Sequence, residues 1–136
     1  MYLVDTNVWL ERLLNQDKSD QVGRFLDQVS PHDIFITDFA FHSICVILTR
    51  LAGSEALPDF VQDVFVDGAV NVVSIKPSET RTLIETIDKY KLDFDDAYQY
   101  VAAEQNGLTI ISFDSDFDRT DKGKKTPANI LSMEQS

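Results

Sequence analysis

Apolar and polar residues follow two different rhythms along this chain. Short, nearly unbroken apolar runs occur at 1–4, 34–36, 70–75 and 108–112. Each predicts a strand, and a strand apolar on both faces is one covered on both. Between these runs apolar residues return at spacings of three and four, the period of an amphipathic helix. Thr6-Asn7 opens such a helix, carrying Val8, Trp9, Leu10, Leu13 and Leu14. Residues 18–29 predict a second, with Val22, Phe25, Leu26 and Val29 on one face. A third starts at Thr37 or Asp38, runs to about Ala52 and stops at Gly53. Phe39, Phe41, Ile44, Val46, Ile47, Leu48 and Leu51 make it apolar nearly all round, which predicts burial on more than one side.

Residues 57–66 predict another helix, ended by the Asp67-Gly68 turn. Lys76-Pro77-Ser78 leads into a helix with Thr82, Leu83, Ile84 and Ile87. Asp95 and Asp96 start the next, where a carboxylate complements the first turn. Ala97, Tyr98, Val101, Ala102 and Ala103 form its apolar stripe, and Asn106-Gly107 stops it. Residues 129–133 read as a last short edge strand, and 135–136 as a tail. Strands alternating with helices predict a three-layer α/β/α sandwich around a central parallel sheet of four to five strands. The length of 136 residues fits one domain over 1–136.

Charge narrows the function. The net charge is -11 with a pI near 4.4, which argues against a protein that coats nucleic acid through a basic surface. It leaves open an enzyme whose acids are neutralised locally by a divalent ion. Cys45 is the only cysteine, so no intrachain disulfide forms and a cytoplasmic location is expected. The chain opens in a strand-like run without a basic leader, and no apolar run approaches the ~20 residues of a membrane span. Glycine-rich phosphate loops, Cys/His zinc spacing and GxSxG are all absent.

What remains is carboxylates. Asp5 follows the first strand, and Asp114 and Asp116 follow the last long one. In an open parallel sheet ligands bind beyond the carboxyl ends of the strands. Asp5 is equally readable as a helix cap. Asp96 reaches the same edge only if Leu92-Asp93 returns the chain to the top of the sheet. A hard, oxygen-only set suits Mg²⁺ or Mn²⁺, and the chemistry it supports is metal-assisted hydrolysis of a phosphodiester.

LVDTNVWLERLL at 3–14 and LDFDDAYQYVAAEQNGLTIISFDSDFDR at 92–119, with the strand–helix rhythm between them, resemble a PIN domain, the small nuclease fold of VapC-type toxins. The resemblance spans essentially the whole chain. It places the family's acids on Asp5, Asp96, Asp114 and Asp116. It implies a five-stranded parallel sheet and a Mg²⁺- or Mn²⁺-dependent ribonuclease acting on RNA, dimeric, and neutralised by an antitoxin protein. Asp5, Asp96 and Asp114 would be catalytic. The chain departs from the family at its helix glutamate: Thr37 matches the preceding Ser/Thr, but Ser43 stands in the glutamate's place, with His42 beside it. Asp38 is then either a substitute metal ligand or a helix cap, and His42 either a core-edge histidine or a participant. Thr6, Asn7 and Ser112 are candidates to steady the site. Asp93, Asp95 and Asp118 read as solvated neighbours, with Asp95 the replacement for Asp96 if the helix phase is off by one. Arg119, Lys122, Lys124 and Lys125 are either a guide for an RNA backbone or a solvated loop. Trp9, Phe39, Phe41 and Tyr98 read as core or dimer contacts. The alternative function is a PIN-like binding or scaffold domain with weak or no nuclease activity.

Overall fold

Side chains along each strand point alternately to opposite faces of one sheet, and this divides the core in two. In the computed structural model, which describes residues 1–134, the strands are β1 (Tyr2–Val4), β2 (Ile34–Thr37), β3 (Asn71–Val73) and β4 (Thr109–Ile111). The helices are α1 (Thr6–Leu13), α2 (Ser19–Gln28), α3 (Asp38–Leu51), α4 (Ala56–Val61), α5 (Thr80–Tyr90), α6 (Phe94–Asn106) and α7 (Pro127–Glu134). Val4, Ile34, Ile36 and Ile111 face one way and pack with Val8 and Trp9 of α1, Phe25 of α2, Ile44 of α3, Phe60 of α4 and Ile130 of α7. Leu3, Phe35 and Ile110 face the other way, toward Ala97, Tyr100 and Ala103 of α6. The result is the expected α/β/α sandwich.

The sheet is four-stranded and parallel, in the order β3-β2-β1-β4. The chain therefore winds outward from β1 through β2 to β3 and then crosses to the other side of β1. The two strands at this reversal diverge in where their connections leave, which opens a crevice at their carboxyl ends. Asp5 and Asp114 follow those two strands. Among the described residues no helix is long and apolar enough to cross a membrane.

Three expectations are corrected. Residues 129–133 are not a strand but lie inside α7. Thr126 and Asn129 cap that helix reciprocally, Thr126 N–H donating to Asn129 Oδ1 (2.9 Å) and Asn129 N–H to Thr126 Oγ1 (3.2 Å). Pro127 suits its first turn, where a missing N–H costs nothing. The position beside β4 holds only Lys125, bridged to Ile110 and Ser112 by two backbone hydrogen bonds. The predicted tail at 135–136 lies outside the described residues. Second, the helix over 57–66 is α4 followed by a π-type turn, Gln62–Val66. There the chain doubles back so closely that a Cβ on Gly68 would lie 2.6 Å from the Val64 carbonyl oxygen. Third, α6 begins at Phe94 with Asp93 as its cap, one residue before the expected Asp95. As expected, α3 is covered on more than one side: Ala40, Ile44 and Leu48 lie in the core, Phe39 packs against Tyr98 of α6 and Phe41 against Phe60 of α4, while Val46 and Leu51 remain 48% and 71% exposed on different sides of the helix.

Candidate metal centre

Asp5 sits where β1 becomes α1, in extended conformation, and its side chain makes no capping hydrogen bond. The carboxylate turns inward instead and is only 5% exposed. Its Oδ1 accepts from Gln99 Nε2 at 2.6 Å and its Oδ2 from Ser112 Oγ at 2.7 Å. Burial pushes the Asp5 carboxyl above the usual range, against the pull of those two hydrogen bonds.

Asp96 reaches the same edge through a tight junction between α5 and α6. Lys91 ends α5 in the left-handed conformation (φ 57°), and Asp93 Oδ1 accepts the Asp96 N–H at 2.9 Å. The cap fixes the first turn of α6 and sets the Asp96 side chain against the sheet edge, buried. The last acids are held by the chain that leaves β4. Asp114 N–H donates to Ser112 Oγ (2.9 Å), and Asp114 Oδ1 accepts the Asp116 N–H (2.8 Å) at the head of a short 3₁₀ turn, Ser115–Arg119. Phe117, fully buried, anchors that turn in the core.

One carboxylate oxygen from each of Asp96, Asp114 and Asp116 lies within 4.8 Å of the other two. Asp96 feels the crowding: burial first, then the charges of Asp93, Asp114, Asp5 and Asp116, push its carboxyl up to about 8. Near neutral pH the cluster without a cation is therefore short of its full negative charge. Burial and then Asp93 likewise raise Asp95. The cleft above has a volume of about 370 Å³, and Asp5, Asn7, Ser43, Asp93, Asp95, Asp96, Gln99 and Asp114 are among its lining residues. Carboxylate oxygens this close, and destabilised in the charged form, fit a small hard divalent cation: its charge relieves the repulsion that now raises Asp96.

Other candidates divide. Asn7 and Thr6 line the cleft, and Asn7 Nδ2 lies 3.4 Å from Ser112 Oγ while its Oδ1 accepts from Phe113 N–H. Ser43 lines the cleft too, so a hydroxyl stands where a carboxylate was expected from the resemblance. Asp38 takes neither side chain role simply. Its Oδ1 accepts the Tyr98 hydroxyl at 2.8 Å and its own helix's Phe39 N–H at 2.9 Å, and it is not among the cleft-lining residues. Thr37, not Asp38, caps α3. His42 is exposed, its ring against Phe41. Two of the four basic residues are engaged: Arg119 donates to the Tyr90 and Lys91 carbonyls and to Asp116 Oδ1, and Lys124 pairs with Asp118. Two residues escaped the sequence reading. Gln99 lies three positions after Asp96, a spacing that shares a helix face and was the available signal. Phe94, 45% exposed, packs against Phe39 at the rim.

A family model described as the PIN domain matches residues 2–123. Among solved structures the fold is similar to a toxin–antitoxin complex from Klebsiella pneumoniae (19% identity, TM-score 0.75, covering 93% of this chain and 98% of that one). It is also similar to VapC20 from Mycobacterium tuberculosis, described as a sarcin-ricin loop cleaving toxin (17% identity, TM-score 0.73, 87% and 93% covered). A third likeness is to FitAcB from Neisseria gonorrhoeae (18% identity, TM-score 0.71, 94% and 99% covered). No curated protein sequence matches significantly.

Proposed function

This chain belongs to the PIN domain family, and from that premise we propose that it is a divalent-metal-dependent endoribonuclease, the toxin half of a toxin–antitoxin pair. The observation that carries the proposal is the convergence of Asp96, Asp114 and Asp116 within 4.8 Å, with Asp5 tied in through Ser112. In this reading Asp5, Asp96, Asp114 and Asp116 hold Mg²⁺ or Mn²⁺, and Asp5, Asp96 and Asp114 act at the scissile phosphate. Asp38 is left to brace Tyr98. When bound, the cation supplies Lewis acidity: it offsets charge on the phosphate and the leaving oxygen and acidifies a water.

The chain's own residues supply placement. Ser112 links Asp5 to Asp114, so the acids after β1 and β4 move together. Arg119 ties Asp116 to the end of α5. Phe94 offers an exposed ring beside the acids, a surface on which an unpaired base stacks, and single-stranded RNA presents such bases. An RNA substrate, a single cysteine and a strongly acidic surface accord with a cytoplasmic protein and with a basic segment on an antitoxin partner. The exposed Leu51 at the end of α3 is the contact we assign to a homodimer.

RNA incubated with the protein in Mn²⁺ should be cleaved, and EDTA should stop it. Asp114→Asn should slow cleavage by roughly a hundredfold or more while the protein stays folded, since even residues behind the ligands cost up to that much. Cleavage that persists in EDTA, or at wild-type rate in the variant, would remove the proposal. A second reading, a binding domain without catalysis, is favoured by Ser43 in the cleft. Calorimetry separates the two: absence of Mn²⁺ binding at millimolar metal selects the scaffold.

A further inference from the structure

Gln99 is held in the middle of the buried face of α6, 3% exposed, yet it is polar and it lines the acidic cleft. Its Nε2 donates to Asp5 Oδ1 at 2.6 Å. Its Oε1 is buried without a hydrogen-bond partner, a condition it shares among the described side chains only with Trp9 Nε1. The orientation of the amide follows from the network around it. Ser112 Oγ accepts the Asp114 N–H, so its own proton goes to Asp5 Oδ2. With Asp5 ionised, as a metal ligand is, its Oδ1 is an acceptor too, and the atom beside it is the Gln99 NH₂ group. The carbonyl oxygen is the end left over. A buried carbonyl is rarely left unpaired without a reason.

We infer that Gln99 is a positioning residue for the divalent ion: Nε2 fixes Asp5, and Oε1 accepts a hydrogen bond from a water in the ion's hydration shell. The inference rests on the cleft being a cation site, as proposed above, and names a member of that site outside the acids. Mg²⁺ and Mn²⁺ keep several waters when only a few carboxylates bind them, and the protons of those waters need acceptors. Ser43, where a carboxylate was expected, leaves the cleft with fewer charged acceptors, and Gln99 adds a neutral one from the opposite helix. Its position one turn after Asp96 gives both groups the same rigid support.

Mn²⁺ binding to the full chain, read by calorimetry and by loss of the free-ion paramagnetic signal, tests this with two variants. Gln99→Met keeps the shape and removes both polar ends; it should bind Mn²⁺ about tenfold more weakly. Gln99→Glu keeps an oxygen for the ion's water but gives up the amide donor to Asp5; it should bind at least as tightly as wild type. Equal weakening of both variants would assign Gln99 to Asp5 alone and overturn the inference, as would wild-type affinity in Gln99→Met. If melting in EDTA shows that Gln99→Met does not fold, Gln99→Glu decides by itself, and weaker binding than wild type overturns the inference. Failure of the wild-type protein to bind Mn²⁺ is a different result, because it removes the cation site and not merely this residue's part in it.

Discussion

Asp96 is destabilised by burial first and then by its acidic neighbours, and the sign of that effect can be tested without any substrate. Its carboxyl titrates near 8 in the folded chain against 3.8 for an unhindered group. Between those pH values the folded state keeps a proton that the unfolded state has released. Stability therefore falls as pH rises through that window, and the whole cost is present above it. Asparagine is neutral at every pH. In EDTA, Asp96→Asn should melt several degrees above wild type at pH 8, with the gain gone near pH 4. Added Mn²⁺ should reverse the order by stabilising only the wild type. A variant that melts with or below wild type at pH 8 in EDTA would mean that burial and crowding do not raise Asp96. The same residue scale explains Ser112, which the sequence marked as a candidate to steady the site. Its hydroxyl oxygen joins Asp5 to the chain after β4.

Helix ends decide what the elements can do. The cap at Asp93 sets the first turn of α6 and so aims Asp96. The reciprocal cap at Thr126 and Asn129 turns an apolar run into α7 where a strand was expected. Thr126→Ala should lower stability by about 1 kcal/mol, in the range for a lost N-cap, as measured by denaturant melts. It should leave Mn²⁺ affinity unchanged, because α7 packs on α2 and lines none of the cleft. A loss of Mn²⁺ binding in that variant would show that α7 supports the acidic edge after all. The error over 129–133 has a physical source. Ile130, Leu131 and Met133 in so short a run do not distinguish a period of two from one near four, and the deciding signals were Thr126, Pro127 and Asn129.

At the scale of the molecule, the reversal between β1 and β4 creates the crevice, and the end of α3 leaves Leu51 exposed. If Leu51 lies in the dimer face, Leu51→Glu should convert the protein to a monomer by sedimentation, with its melting curve nearly unchanged because Leu51 is 71% exposed. A wild-type protein that is already monomeric would remove the dimer. The apolarity of α3 was legible from Phe39 to Leu51, and it predicted cover on more than one side, as the packing of Phe39 on α6 and Phe41 on α4 shows. Periodicity reports which side chains avoid water, not which molecule covers them.

Element type and order as far as β4, the parallel sandwich, and Asp5, Asp114 and Asp116 as the acids worth following were determined by the residues in their order, and the resemblance added Asp96. These depend on local periods and on where strands end, and such information is carried by neighbours along the chain. Only the folded structure decided that Asp96 comes within 4.8 Å of Asp114 and Asp116, that Asp38 turns to Tyr98, and that Gln99 meets Asp5 across the core. Those are contacts between residues tens of positions apart. They follow from how helices seat against a sheet, and no spacing within a single segment contains that distance.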